Sequence, residues 1–447
     1  MTEIPETFSV LSEPPSEAEI TANWKPERGD QVSVCMLVYN HESFLRDALN
    51  SILNQKTDFG FEILVHDDAS QDASPAIIRE YAVRYPRIIK PILQTVNQHS
   101  QQIYPSVHFN YPRAKLPFVA MCEGDDHWAN AHKLQTQVDG LLAHPELNLS
   151  FHAAIFADYH DTKPATRIYG DYDTADAIIP FNDMMHRPRG WIALASCLIR
   201  QDAKNRLLDF LKARPYLTVG DIYFQFFGSE PKGALYFARP MSLYRYRTPQ
   251  SWTSKTHADT RFKVTHEIAM IRSYLELDQI TGNAYHNDFL ALILQRLLWL
   301  FAAPLPTENM PSCITLLKQL HTACTAQIDQ TLMEFQQAPA ARYVIFGCAS
   351  GCQKILNSLS NKNIAAIIDR DNLRIGESIQ GKPVIGTMSL EQYADCTLII
   401  STIPPASTAL FQMTDHAGIP RKNVHHLFDG AIEFLNNNPI PLDIFER

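Results

Sequence analysis

Residues 31–68 read "QVSVCMLVYNHESFLRDALNSILNQKTDFGFEILVHDD" and decide the fold. The run from Val32 to Val38 and the run from Phe61 to Val65 are short, apolar and rich in β-branched side chains, so each predicts a strand. Between them Phe44, Leu45, Ala48, Leu49, Ile52 and Leu53 recur at the three- and four-residue spacing of one helix face. Strand, helix, strand is a βαβ unit with parallel strands.

The alternation continues. "SPAIIREYAVRY" (74–85) predicts a helix, "RIIKPIL" (87–93) a strand, "PFVAMCEGDD" (117–126) a strand ending in acids, and "AHKLQTQVDGLLAHP" (131–145) a helix. The expected fold class is therefore α/β, a mostly parallel sheet flanked by helices. Ligands of open α/β sheets bind beyond the carboxyl ends of the strands, which is where Asp67, Asp68, Glu123, Asp125 and Asp126 fall. One acidic cluster alone reads as a solvated turn. Two clusters at neighbouring strand ends point to a cation site, because a hard divalent ion such as Mn²⁺ or Mg²⁺ takes oxygen ligands, often one or two carboxylates with phosphate oxygens. Gly124 lets the backbone turn closely there.

Four segments are expected. Residues 1–30 are polar and Pro-rich and predict a tail or an arm docked on the body; 31–260 form the main α/β domain; 261–338 form a helical connecting region; 339–447 form a second, smaller α/β domain. In the last of these, "VIFGCASGC" (344–352) is strand, glycine turn and helix, and Asp369 closes the next strand. This run resembles Rossmann-like nucleotide-sugar-binding domains, but Ala349 and Cys352 stand where the second and third glycines would be, and their bulk hinders close approach of a pyrophosphate.

The 447 residues carry a net charge of -9 and are 45% apolar, which argues against general nucleic-acid binding through phosphate neutralisation. Eight cysteines are scattered, several inside apolar runs, and the start lacks the basic and apolar regions of a signal peptide, so a cytoplasmic setting is expected. The most apolar segment, "FLALILQRLLWLFAA" (289–303), is short and holds Gln295 and Arg296, and reads as a buried helix. The many histidines, His127 and His132 among them, show no zinc spacing. "YPRAK" (111–115) matches the Tyr-x-x-x-Lys spacing of short-chain dehydrogenases, but Pro112 and its position in the first domain make this chance.

Three ordered motifs carry a family resemblance: "VSVCMLVYNHESFLRDALNSILNQ", "FEILVHDDASQD" and "FVAMCEGDDHWANAHKLQTQV". Together, over about residues 32–255, they resemble the nucleotide-diphospho-sugar transferases of glycosyltransferase family 2, whose fold is the GT-A type: a mixed sheet flanked by helices. The resemblance implies that Val38, Tyr39 and Asn40 line a nucleoside site with Glu42 nearby, and that Asp67 and Asp68 contact base and ribose. The metal motif falls on Glu123-Gly124-Asp125, where the family commonly has Asp-x-Asp. Asp125 is then the ligand for Mn²⁺ or Mg²⁺, Glu123 a ribose, metal or metal-water contact, and Asp126 a supporting acid.

In "YLTVGDIYFQFF" (216–227), Gly220-Asp221 stands where such enzymes carry the base that deprotonates the acceptor, and Asp is equally suited to cap a helix there. In "LYRYRTPQSWTS" (243–254), Arg247 replaces a family histidine and is suited to a diphosphate; Arg245 and Trp252 are weaker candidates. The implied activity is metal-dependent, inverting transfer of a sugar from a nucleotide diphosphate sugar, UDP-sugar favoured, to a hydroxyl of a glycan or glycoconjugate. The implied setting is bacterial surface polysaccharide synthesis, with peripheral association at the inner face of the membrane. Rival readings are a noncatalytic nucleotide-sugar-binding or scaffolding protein, and a nucleotide-sugar oxidoreductase or epimerase centred on the second α/β domain.

Overall fold

The computed structural model describes residues 13–159, 165–187, 190–217, 220–249, 251–302, 305, 313–338, 342–347, 350–369, 375–401, 419–420 and 423–446. It divides into two compact units, Met1–Asp259 and Thr260–Arg447.

In the first unit, nine strands among the described residues form one mixed sheet. They are β1 (Asp30–Val38), β2 (Gly60–Asp67), β3 (Ile89–Leu93), β4 (Phe118–Met121), β5 (Leu149–Asp158), β6 (Ala165–Tyr169), β7 (Ala177–Ile179), β8 (Leu198–Arg200) and β9 (Ala234–Tyr246). Their order is β3-β2-β1-β4-β8-β5-β9-β7, with β6 paired to β5. The first four run parallel, joined by the helices Glu42–Leu53 and Ser74–Arg84 as the apolar spacing predicts. β8 then enters antiparallel against β4, and β5 runs parallel to β9. The α/β sheet expected from the sequence is thus present and mixed.

Strands covered on both faces read as unbroken apolar runs rather than alternating ones, and β1 fits: Val32, Val34, Cys35, Met36 and Val38 are all buried. On one side the core joins Val32, Val34, Met36 and Val38 to Leu45, Ala48, Leu49, Ile52 and Leu53 of the helix Glu42–Leu53, and to Leu134, Val138 and Leu141 of the helix Lys133–Ala143. Trp128 is fully buried, donating its indole N–H to the Ala195 carbonyl at 3.1 Å. Of the expected N-terminal arm, residues 1–12 lie outside the described residues. The part from Glu13 docks: Glu17 accepts the backbone N–H groups of Arg87 and Ile88, and the Tyr85 hydroxyl donates to the Pro15 carbonyl.

The second unit holds three long helices, Thr260–Ile280, His286–Leu300 and Ile314–Gln337, and a six-stranded sheet among its described residues. Its strands are β10 (Arg342–Phe346), β11 (Asn363–Asp369), β12 (Ser378–Ile379), β13 (Lys382–Gly386), β14 (Thr397–Ile400) and β15 (Val424–His426), ordered β12-β13-β11-β10-β14-β15. All pair in parallel except β12 with β13, and the chain reverses its direction of travel through the sheet after β13, a doubly wound topology. Gly347 ends β10 with φ 97°, a conformation that favours glycine; Cys348 and Ala349 of the expected glycine turn lie outside the described residues. Seven cysteines, described and buried, are free thiols. Among the described residues no helix is long and apolar enough to cross a membrane. The segment from Phe289 is instead a helix with most of its apolar residues buried, Trp299 exposed, and Arg296 bonded to Glu267.

Lys133 is buried with its ammonium 4.1 Å above the Trp128 ring and donating to Gln137 at 2.7 Å. Burial pushes its pKa down to about 7. The unfolded chain, with a lysine near about 10.4, therefore binds the extra proton between the two values, so this group makes stability rise as pH rises through that window. Lys133→Met is expected to flatten the profile there, measured as the urea midpoint at about pH 7 and about pH 9.5.

Candidate active site

The site is organised by the last residues of β1. The Leu37 carbonyl accepts the Gly124 N–H at 2.9 Å, and the Val38 carbonyl accepts the Asp68 N–H at 2.9 Å. One strand end therefore sets the height of both acidic segments. Beyond it Asn40 takes a left-handed conformation, φ 58°, which Asn tolerates better than most residues. It is held by its N–H on Ser70 Oγ at 2.9 Å and by its side-chain oxygen, which accepts the Gln71 N–H at 2.8 Å.

The expected nucleoside residues divide by what their polar atoms already do. Asp68 is fully engaged, its two oxygens accepting the N–H groups of Gln98 at 2.7 Å and His99 at 3.0 Å. Glu42 is likewise engaged: it accepts the Ala73 N–H at 2.8 Å while its own N–H donates to Asp72 at 2.9 Å. Both shape the loops around the crevice. Asp67 differs. Its Oδ2 accepts the Ser70 N–H at 3.1 Å, while Oδ1 is buried without a hydrogen-bond partner among the described residues. Burial raises its pKa, opposed by the Ser70 bond. Tyr39 follows the same strand end and is 39% exposed.

The second acidic segment is a tight turn, closed by the Asp126 N–H on the Glu123 carbonyl at 3.0 Å. Gly124 is required there: a Cβ would lie 2.7 Å from His41 Nδ1 and 3.1 Å from Val38 Cγ2. On its far side the turn is stitched to β9 by two bonds between His127 and Leu243 and one from the Ala129 N–H to the Met241 carbonyl. From β9 also comes Arg245, whose guanidinium donates to the Asp125 carbonyl at 3.0 Å and the Asp126 carbonyl at 3.3 Å. Its other end bonds Asp47, which His127 also approaches at 3.1 Å, and Tyr159 at 3.2 Å. Burial works against the charge on Asp47, but His127 and Arg245 hold its carboxyl below the ordinary value. Arg245, a weak candidate in the sequence, is thus the clamp on the backbone of the turn.

The carboxylates of the turn are left facing one another. Burial, with the charges of Asp125, Asp126 and Asp221, raises the pKa of Glu123 well above the carboxylate range. Burial and the Asp125 charge do the same to Asp126, against the opposing pull of Arg245. Asp125 Oδ2 accepts the Thr248 hydroxyl at 2.8 Å. Asp221 opens the helix Asp221–Ser229, and burial raises its pKa against the charge of Arg187. The structure therefore brings Glu123, Asp125, Asp126 and Asp221 into one electrostatic group, with the Tyr111 and Tyr244 hydroxyls within reach of it; burial raises both, reinforced by Asp221 and Glu123.

Arg247 does not join that group. Its guanidinium forms a two-pronged pair with Asp158, and its N–H donates to Thr253 Oγ1 at 3.1 Å. Trp252 begins the helix Trp252–Ala258, and its side chain lies outside the described residues. Sequence reasoning passed over Asp47, Arg187, Thr248, Tyr111 and Tyr244. Asp47 and Arg187 look like any solvated charge in the one-dimensional pattern, and Tyr111 carried a signal only as a chance motif match.

Among the described residues no three His, Cys, Asp or Glu side chains cage a metal unaided. A Mg²⁺ or Mn²⁺ bound together with phosphates needs only one or two protein carboxylates, however. Asp125 and Glu123, on a turn narrowed to glycine and crowded with unneutralised acid, fit that requirement.

A parallel half-sheet with carboxylates gathered at its C-terminal edge defines an α/β protein with a ligand crevice at the strand ends. Residues 33–193, within the first unit, match the model of the family described as Glycosyl transferase family 2. The chain is 41% identical over 125 residues to the Uncharacterized protein Rv1520 of Mycobacterium tuberculosis, covering 27% of this chain and 34% of that one. It is 33% identical over 116 residues to the Putative glycosyltransferase EpsE of Bacillus subtilis, covering 26% of this chain and 40% of the relative. The chain thus spans about a third of the length of such relatives. Among solved structures, Staphylococcus aureus TarS 1-349 in complex with UDP-GlcNAc superposes with a TM-score of 0.46 at 15% identity, over 63% of this chain and 78% of that one.

Two outcomes follow for the turn. Arg245→Met leaves the Asp47 charge without its main partner and is expected to lower unfolding free energy by about 2–4 kcal/mol, with Asp47→Asn in the same chain restoring part of it, read from urea denaturation. Gly124→Ala is expected to cost about 1–3 kcal/mol by the same measurement, because the added Cβ would lie 2.7 Å from His41 Nδ1 and 3.3 Å from the Leu37 carbonyl oxygen.

Proposed function

We propose that the chain is an inverting glycosyltransferase that moves a sugar from a nucleoside diphosphate sugar to an acceptor hydroxyl. The observation that carries this reading is the single electrostatic group formed by Glu123, Asp125 and Asp126 with Asp221, in a unit whose residues 33–193 match glycosyl transferase family 2.

In this reading the Asp67 carboxylate, with one oxygen still free, accepts from the base or ribose of the donor, and Tyr39 supplies a stacking face. Val38 and Asn40 shape that end of the pocket, and Glu42 and Asp68 act by bracing its loops. Asp125 with Glu123 would hold a divalent cation, Mn²⁺ or Mg²⁺, which would supply Lewis-acid stabilisation of a diphosphate leaving group. Asp126 supports the turn through its carbonyl on Arg245.

Asp221 acts as the base. Its carboxylate accepts the proton of the acceptor hydroxyl as that oxygen bonds to the anomeric carbon. The bond from the same carbon to the diphosphate oxygen breaks, and the nucleoside diphosphate leaves with the bonding electrons. Attack from the face opposite the leaving group inverts the anomeric centre. The upward shift of the Asp221 carboxyl suits this role, since a base works best with a pKa brought toward the working pH. Arg187 limits how far burial can push it.

The donor is proposed to be a UDP-sugar and the acceptor a glycan or glycoconjugate of a bacterial surface polysaccharide, reached at the inner face of the membrane. The name of one relative supports the surface-polymer part of this reading: the matches include the Minor teichoic acid biosynthesis protein GgaA of Bacillus subtilis, 25% identical over 120 residues. The doubly wound sheet of the second unit is assigned to scaffolding or partner binding, as side chains replace two glycines of its turn.

Donor turnover with a panel of nucleotide sugars and Mn²⁺ tests the reading. Asp125→Ala is expected to abolish hydrolysis and transfer, and Asp221→Asn to lower kcat by about 10²–10⁴-fold with donor binding retained. Because the base must be deprotonated and its pKa is raised, kcat/KM should fall with acid at a pH above the ordinary carboxylate range, near about 4. Binding of nucleotide with no turnover of any donor would favour the noncatalytic alternative, and full activity in Asp221→Asn would remove Asp221 as the base.

A further inference from the structure

Asp221 has a cationic neighbour, Arg187, that has so far entered only through its charge. Arg187 follows the short helix Phe181–His186 in a left-handed conformation, φ 49°. Its guanidinium is held at two points. Nε donates to Gln225 Oε1 at 2.9 Å, and Cζ lies 4.2 Å from the centre of the Trp191 ring. Gln225 is fixed in turn: it is buried, and its amide donates to the Ile192 carbonyl at 2.9 Å. Because Gln225 stands four residues after Asp221 on the helix Asp221–Ser229, the two share a face one turn apart. The guanidinium is thereby placed beside Asp221, close enough for its charge to act on that carboxyl.

The contacts that are missing decide what this group can do. Among the described residues no carboxylate pairs with Arg187, Asp221 included, and its two Nη groups meet no hydrogen-bond acceptor. Holding an arginine head in one orientation costs up to about 2 kcal/mol of rotamer freedom. The group that holds Nε is a neutral amide, so the positive charge stays uncompensated. With Nε occupied, the two Nη groups remain as paired N–H donors, the edge that fits two oxygens of one phosphate or carboxylate. A neutral hydroxyl would engage one donor and leave the charge unmet.

We propose that Arg187 recognises the acceptor, its two Nη groups binding an oxyanion, phosphate or carboxylate, that the acceptor carries close to the hydroxyl whose proton Asp221 takes. This rests on the assignment of Asp221 as the base in the proposed function, and it narrows the acceptor from glycans and glycoconjugates in general to anionic ones. Electrostatics require such a group. Glu123, Asp125, Asp126 and Asp221 repel an incoming anion, and Arg187 is the basic side chain whose charge acts at the Asp221 end of that cluster.

Nuclear magnetic resonance of the full chain tests it without turnover, with the Trp191 indole N–H assigned through Trp191→Phe and divalent ions removed by a chelator. The probes are glycerol 3-phosphate and glucuronate, each compared with its neutral counterpart, glycerol or glucose. The expected result is a saturable shift of the Trp191 signal in the parent with at least one anion and with neither neutral compound; the anion that binds distinguishes phosphate from carboxylate. Arg187→Gln should weaken that binding about tenfold or more, and Arg187→Lys less, since it keeps the charge and loses the paired donors. No saturable shift with either anion, equal shifts with the neutral compounds, or unchanged affinity in Arg187→Gln would each overturn the proposal. The comparison of anion with neutral compound uses only the parent, so a variant that fails to fold does not remove the test. Donor turnover by the parent separates this inference from the reading beneath it. Turnover without anion binding overturns the role of Arg187 and leaves the proposed function standing, whereas anion binding without turnover of any donor overturns the acceptor assignment together with that function.

Discussion

Two carbonyl oxygens at the end of one strand hold the site together. Leu37 and Val38 accept the N–H groups of Gly124 and Asp68, so the acidic segments after β2 and β4 are both hung from β1. The dependence has a physical root: a parallel strand buried on both faces cannot slip without moving its whole apolar set, and Val32 to Val38 is such a strand. Rigidity generated by burial is thereby passed to groups that need accurate placement. The adjoining left-handed Asn40, tied to Ser70 and Gln71, is the local strain that this placement exacts.

The second constraint is electrostatic. Four carboxylates share a partly closed space, opposed only in part by the charges of Arg187 on Asp221 and of Arg245 on Asp126. Arg245 spends its guanidinium on two carbonyls and on Asp47, bracing the turn from behind while leaving its acids unpaired. Such an arrangement is unfavourable for folding alone and would be relieved by the cation of the proposed function, a pattern expected where binding rather than stability shaped the residues.

Much of this was legible in one dimension. The period of the apolar residues located β1, β2, β4 and their helices, and the acids followed because strand ends are where apolar runs stop. Asp67, Glu123, Asp125 and Asp126 could be named from that rule, whereas Asp221 was named only from the family resemblance. The distinction between Asp67 and Asp68 could not. Both are buried acids at one strand end, yet only the fold shows that the loop after Gln94 closes on Asp68 and consumes its two oxygens. Arg247 illustrates the same limit: its charge suited a diphosphate, and Asp158, on β5, is the residue it pairs with instead.

By itself the sequence determined the class of fold, the ends of the parallel strands and which acids stand at them, because apolar periodicity and burial are local properties that repeat along the chain. Only the tertiary structure decided which polar atoms remain available. That depends on partners far apart in sequence: Arg245 reaching the turn from β9, Thr248 taking one oxygen of Asp125, His41 fitting beneath Gly124. A hydrogen bond consumes a donor or acceptor wherever its partner comes from, and no pattern in one strand records what arrives from another.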